Sequence, residues 1–206
     1  MESVYRFLDY INIKAKKPVG VDEAGRGPLA GPIVACALYV PEGENISFVR
    51  DSKILTYEKR REFLERLLEK NIKFGLGFVF PEEIDRIGIQ EANYLAMKRA
   101  IRNLRIKPDL VLVDGFKIRS LKKRQVVVIK GDKRIDVIAG ASIIAKVTRD
   151  MWMEAMHEIF PDYRFDINKG YYSDFHVEMI RKKGISPLHR KTFEPVKTIL
   201  KERGIL

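Results

Sequence analysis

Two adjacent acids, Asp22 and Glu23, stand in the stretch GVDEAGRGPLAG between an apolar run and a glycine-rich turn. Neighbouring carboxylates offer oxygen ligands to hard divalent cations, and glycines let a backbone approach a ligand closely. The chain around them carries the opposite sign, with 39 Lys and Arg against 28 Asp and Glu and a formal net charge of +11. Two further acids occupy similar places: Asp114 closes the apolar run DLVLVD, and Asp132 follows Gly131 at the end of RQVVVIKG. Each alone fits an ordinary turn, since Asp is common there and Asp-Gly marks hairpins. Jointly they describe three hydrophobic strands that each end in an acid. If those strands are neighbours in one sheet, their ends meet. Gathered carboxylates repel one another unless cations neutralise them, and four would match the charge of two Mg²⁺ ions. Two such ions can activate a water, hold a scissile phosphate and stabilise the departing oxygen.

Other chemistry is excluded more readily. GRGPLAG satisfies G-x-G-x-x-A through Gly25, Gly27 and Ala30, but the dinucleotide fingerprint needs a helix to start at that turn. Pro28, Gly31 and Pro32 prevent one, and Asp22 and Glu23 would repel a pyrophosphate. His157, His176 and His189 show no metal-ligand spacing. Trp152 and the methionines around it read as core packing. The single cysteine, Cys36, lies in the apolar run IVACALYV and reads as a core thiol in a reducing compartment. No apolar stretch approaches the ~18 residues of a membrane span, so no membrane partner and a cytoplasmic location are expected. The basic excess points to a polyanion, nucleic acid first.

The elements that must position these acids follow from periodicity. SVYRFLDYI reads as a short amphipathic helix; PVGVDEAG and PIVACALYV read as strands paired in a hairpin. Phe63, Leu64, Leu67 and Leu68 share one face of a helix that Thr56 would cap, running to Lys70, with Asn71 as a left-handed C-cap. IKFGLGFVF is a strand, followed by a short helix from Pro81 and a longer one over Glu91 to Leu104. DLVLVD and RQVVVIKG are further strands. IAGASIIAKV opens a long buried helix ending near Phe160, and another helix spans Asp174 to Lys183. The pattern is α/β, a mixed sheet covered by helices, in one domain over residues 1–206.

Seven segments then carry a resemblance across nearly the whole chain, in order: GVDEAGRGPLAGPIV, DSK at Asp51 to Lys53, LVDG ending at Gly115, KGD ending at Asp132, ASIIAKVTRD ending at Asp150, KGY ending at Tyr171, and SPLHRKTFEP. In these the sequence resembles the ribonuclease HII family (type 2 ribonuclease H). The resemblance implies a ribonuclease H-like fold, a five-stranded mixed sheet flanked by helices, with residues about 160–206 forming a helical substrate-binding extension. It implies Mg²⁺- or Mn²⁺-dependent endonucleolytic cutting of the RNA strand in RNA–DNA hybrids. It also implies nicking 5′ of single ribonucleotides in duplex DNA, leaving 3′-hydroxyl and 5′-phosphate ends, in replication and repair.

By position the family's four catalytic, metal-binding carboxylates fall on Asp22, Glu23, Asp114 and Asp132. Asp150 in VTRD also fits a familiar stretch; Asp132 is preferred because a turn after a strand can swing into a metal site. Gly25, Arg26 and Gly27 would bring main-chain groups against the ribose and read its 2′-hydroxyl, the group that separates RNA from DNA. Tyr171 would stack beneath the sugar on the 3′ side. Ser52, Lys53 and Lys169 are candidates for phosphate contacts. The basic stretch from Lys117 to Lys133 reads equally as a phosphate track and as a solvated face. The partners expected are RNA–DNA hybrid and ribonucleotide-containing duplex, with a sliding clamp as a candidate for the C-terminal KTILKERGIL, and the protein is expected to act as a monomer. Two rivals remain: a nuclease or integrase acting on all-DNA substrates, and a non-catalytic nucleic-acid-binding module whose acids are only turns.

Overall fold

The computed structural model describes residues 2–49 and 57–205. Five strands form one sheet in the order β3-β2-β1-β4-β5, with β1 at Pro18–Ala24, β2 at Ile33–Tyr39, β3 at Lys73–Val79, β4 at Leu110–Asp114 and β5 at Gln125–Val128. β1 pairs antiparallel with β2, and β2 with β3, whereas β1–β4 and β4–β5 are parallel. The sheet is therefore mixed, and the expected β1–β2 hairpin is present.

Period-2 alternation divides the apolar residues between two faces. Cys36, Leu38, Leu110 and Leu112 pack with α1 (Val4–Tyr10), α2 (Tyr57–Leu68) and the long α5 (Asp136–Ile159). Val19, Val21, Ala35, Ala37, Val111 and Val113 pack with α3 (Pro81–Ile87) and α4 (Ile89–Asn103). The α4 face is close enough to demand glycine: a Cβ on Gly77 of β3 would lie 2.0 Å from the Ala96 carbonyl oxygen. The two glycines of IKFGLGFVF thus mark the seat of a helix.

A third cluster lies beyond the sheet. Met153 of α5, with Leu29 and Ala30 of the loop after β1, packs against Tyr163, Phe165, Ile180, Val196, Ile199 and Leu200. These belong to the C-terminal segment built from α6 (Phe165–Asn168), α7 (Asp174–Lys183) and α8 (Val196–Glu202).

Some local expectations give way. Asn71 is not left-handed: α2 ends at Leu68, and the Asn71 N–H donates to Glu44 Oε2 at 3.2 Å, so a tertiary contact replaces the C-cap. Thr56 lies outside the described residues. β5 stops at Val128, leaving Ile129 exposed, and a left-handed Lys130 turns the chain into a 3₁₀ turn at Gly131–Lys133. Met153 is fully buried and Trp152 packs beside it, but Met151 is 45% exposed, because a helix covered on one face sends neighbours outward.

Candidate active site

The central strand places the first acids. β1 lies between β2 and β4, and its parallel register with β4 runs to Val21 opposite Val113. One step further, Asp22 comes beside Asp114, the last residue of β4. Asp132 arrives from the 3₁₀ turn, which is tied to β4 by the Gly131 N–H donating to Asp114 Oδ1 at 2.7 Å. Asp22, Asp114 and Asp132 each bring a carboxylate oxygen within 4.8 Å of the others.

Alternation along β1 directs Asp22 towards α5 and Glu23 towards α4. Asp22 is buried, and burial, with the negative charge of Glu23 next, pushes its carboxyl up to about 8; a Ser142 hydrogen bond opposes the rise and Asp114 adds to it. Its Oδ1 also accepts the Glu23 N–H at 2.8 Å. Glu23 is not within the 4.8 Å group. Burial raises its carboxyl too, opposed by Arg26, whose Nη1 lies 3.6 Å from Glu23 Oε1. Asn93 of α4 is fully buried beside Glu23, whose charged form its side chain favours. A buried Asp22 carboxyl raised by burial and then by the charges of Glu23 and Asp114, within an all-oxygen donor set, is what a hard divalent cation would satisfy. The donor set fits a hard cation.

Asp150, the alternative fourth acid, sits buried on α5 with Lys146 Nζ 2.6 Å from its Oδ1, and it is not part of the three-carboxylate group. Ser52 and Lys53, with the DSK segment, lie outside the described residues.

The glycine-rich loop begins at Gly25, directly after Ala24 at the end of β1. Gly25 has φ +95°, and a Cβ there would meet Arg149 Nε at 2.3 Å, so this position excludes a side chain twice over. Gly27 has open space around its Cα. Arg26 donates from Nη2 to Gln90 Oε1 at 3.0 Å and lies over Phe116, 5.3 Å from the ring centre. Tyr171 is joined to this loop through its neighbour: the Leu29 and Ala30 N–H groups donate to the Gly170 carbonyl at 2.8 and 3.2 Å. The Tyr171 ring is 40% exposed, with Lys146 Nζ 5.2 Å from its centre. Lys169 is left-handed; its ammonium pairs with Glu154 at 2.6 Å and donates to the Asp166 carbonyl.

Several supporting residues escaped the sequence reading. Ser142 and Asn93 look like ordinary helix residues until the helices dock on β1. His176 and His189 carry no ligand spacing, yet their Nε2 atoms lie 3.0 Å apart in the third core cluster. A carbonyl can only accept, so His176 Nδ1, 2.8 Å from the Tyr171 oxygen, bears the hydrogen; the Ser186 N–H donates to His189 Nδ1 at 2.9 Å. His189 Nε2–H must then donate to His176 Nε2. Burial, with His176 second, pushes His189 down to about 3, which keeps the pair neutral. The position of His189 inside SPLHR was the one available signal.

Acidic strand ends gathered at the centre of a mixed sheet in this order define a ribonuclease H-like enzyme, and the comparisons with known proteins agree. The ribonuclease H2 structure from Pyrococcus horikoshii OT3 is 29% identical, covers 90% of this chain and 98% of that one, and superposes with a TM-score of 0.77. The RNase HII in the PCNA:RNase HII complex from Archaeoglobus fulgidus is 29% identical over 86% of this chain and 95% of its own, TM-score 0.73. Ribonuclease HII from Caldicellulosiruptor bescii is 46% identical over 174 residues, 84% of each chain, and that from Pelagibacter ubique 45% over 182 residues, 88% of this chain and 97% of its own. The family model for ribonuclease HII matches residues 19–196. The chain belongs to the ribonuclease HII family, and it is a metal-dependent ribonuclease H hydrolase.

Proposed function

We propose that this enzyme nicks duplex DNA on the 5′ side of a single embedded ribonucleotide, as well as cutting the RNA strand of RNA–DNA hybrids, and leaves 3′-hydroxyl and 5′-phosphate ends. The observation that carries this reading is the adjacency of two features: three gathered carboxylates, and a glycine-rich loop that starts at Gly25, three residues after Asp22, and is hydrogen-bonded to the Tyr171 segment.

Asp22, Asp114 and Asp132 would hold Mg²⁺ or Mn²⁺, with Glu23 completing the set from the other side of β1. When bound, such cations lower the pKa of a water and stabilise the oxygen that leaves phosphorus. The residues of the chain do the rest. Gly131 N–H fixes the Asp114 carboxylate, and Ser142 orients that of Asp22. Gly25, Arg26 and Gly27 present main-chain groups to the 2′-hydroxyl, and the half-exposed Tyr171 ring backs the sugar, so a deoxyribose leaves the site unfilled. Lys169, Ser52 and Lys53 are assigned to the phosphates, and residues about 160–206 to holding the duplex. The C-terminal KTILKERGIL is the segment assigned to a clamp, since the Archaeoglobus fulgidus relative is described in complex with PCNA. The enzyme would work as a cytoplasmic monomer in replication and repair.

The test uses two duplexes that differ by one 2′-hydroxyl, with Mg²⁺, Mn²⁺ or chelator, and maps the product ends. Nicking beside the ribonucleotide, an intact all-deoxy control and no reaction in chelator are expected. Equal cutting of both duplexes would assign the site to DNA and reject the sugar-reading role.

A further inference from the structure

Among the described residues the two largest fully buried side chains are arginines, Arg149 on α5 and Arg190 in the segment before α8, both 0% exposed. A buried guanidinium is expensive, and an apolar side chain of similar volume often serves stability as well or better. Among the described residues neither has a carboxylate within 3.5 Å; Asp150 stands 4.0 Å from Arg149. Their hydrogens go instead to main-chain carbonyls. Arg190 donates from Nε to Gly31, from Nη1 to Arg26, and from Nη2 to Gly25 and Gly31, at 2.6 to 3.0 Å. All three acceptors lie in the loop after β1.

Arg149 does something different. Nε donates to the Pro32 carbonyl at 3.0 Å and Nη2 to Ala30 at 3.0 Å, both in the same loop, while Nη1 donates to Lys169 at 2.9 Å, two residues before Tyr171. Its guanidinium also lies 5.4 Å from the centre of the Tyr171 ring. One rigid fork therefore joins the loop assigned to the 2′-hydroxyl and the segment assigned to the sugar's other face. We propose that Arg149 is a positioning residue that fixes these two halves of the sugar-reading site against each other and thereby sets discrimination at the 2′ position. The inference rests on the ribonucleotide-reading function above.

A planar fork with three donors on three carbonyls has no lysine equivalent. Loosening it would let the two halves drift, and a displacement of about 1 Å is worth on the order of 100-fold in rate where orientation matters. The carboxylates are held from β1, β4 and the 3₁₀ turn by other partners, Asp22 by the Glu23 N–H and Ser142, Asp114 by the Gly131 N–H. Their hold on a cation should survive.

The experiment compares the wild type with Arg149→Met and Arg149→Lys. Single-turnover nicking is measured at one ribonucleotide and at one 2′-fluoro-2′-deoxynucleotide in the same duplex, and Mn²⁺ affinity by calorimetry. Expected in Arg149→Met is a fall of about tenfold or more in the ribo-to-fluoro rate ratio, with partial recovery in Arg149→Lys. Mn²⁺ affinity should change by less than about threefold, below the ~10-fold that loss of ligand support produces. A folded Met variant with an unchanged ratio, whether the two rates are kept or fall together, overturns the proposal; so does a parallel loss of Mn²⁺ affinity, or failure of both variants to fold. A wild type that shows no ribo preference removes the parent function, and the inference falls with it.

Discussion

Asp22 sits where burial and two neighbouring carboxylates all oppose its charge, and in the metal-free protein its carboxyl titrates at about 8 instead of the ordinary 3.8. The sign of the consequence is fixed. Between those values the folded chain binds more protons than the unfolded one, so this group's stabilisation is complete below pH about 4 and is lost as pH rises through about 8. Thermal unfolding of the metal-free protein should therefore fall in temperature across that window, and Asp22→Asn should flatten the slope. Cation binding must displace the same proton, so apparent Mn²⁺ affinity should rise from pH 6 and level off near pH 8. An affinity flat over that range would contradict the assignment. Asp114→Asn keeps an oxygen that can accept the Gly131 N–H, so the fold should stand. Losing one ligand charge should lower kcat by at least about 100-fold in Mg²⁺, and near-normal turnover would refute the role of Asp114.

At the scale of the element, strands with acids at their ends and glycines at helix seats do the positioning. Gly77→Ala in β3 puts a methyl into the α4 backbone, 2.0 Å from the Ala96 oxygen. Overpacking of this kind costs about 1–3 kcal/mol, read as a lower denaturant midpoint, with Mn²⁺ affinity little changed because β3 lies two strands from Asp22. Such elements were legible because alternation and periodicity are local. β1, β4 and β5 read as apolar runs, and the acids at or just beyond their ends could be picked out before any pairing was known. Legibility stopped where tertiary contact overrode local preference, as at Asn71, drawn to Glu44 instead of capping α2, and at Met151, turned to solvent on a helix that opens with an apolar run. Ser142 and Asn93 gained their roles only when α5 and α4 docked on opposite faces of β1.

Over the whole molecule, a net charge of +11 surrounds a cluster of acids. Duplex binding should be driven largely by counterion release, so affinity should drop with a steep log–log salt dependence. With about six phosphate contacts the loss between 50 and 200 mM salt would be on the order of 1,000-fold. A slope near zero would leave the basic surface without that role. The C-terminal segment was legible only as helical; its buried His176–His189 pair is closed by tertiary packing, and the arginines that grip the glycine-rich loop reach carbonyls more than 100 positions away in the chain, which no local pattern encodes. No helix among the described residues is long and apolar enough to cross a membrane.

Anomalous diffraction from crystals of the enzyme grown with Mn²⁺ tests the central arrangement most directly. A manganese peak in bonding contact with carboxylate oxygens of Asp22, Asp114 and Asp132 is the predicted result. Saturating Mn²⁺ that leaves those three side chains without a peak, while activity persists, would contradict it.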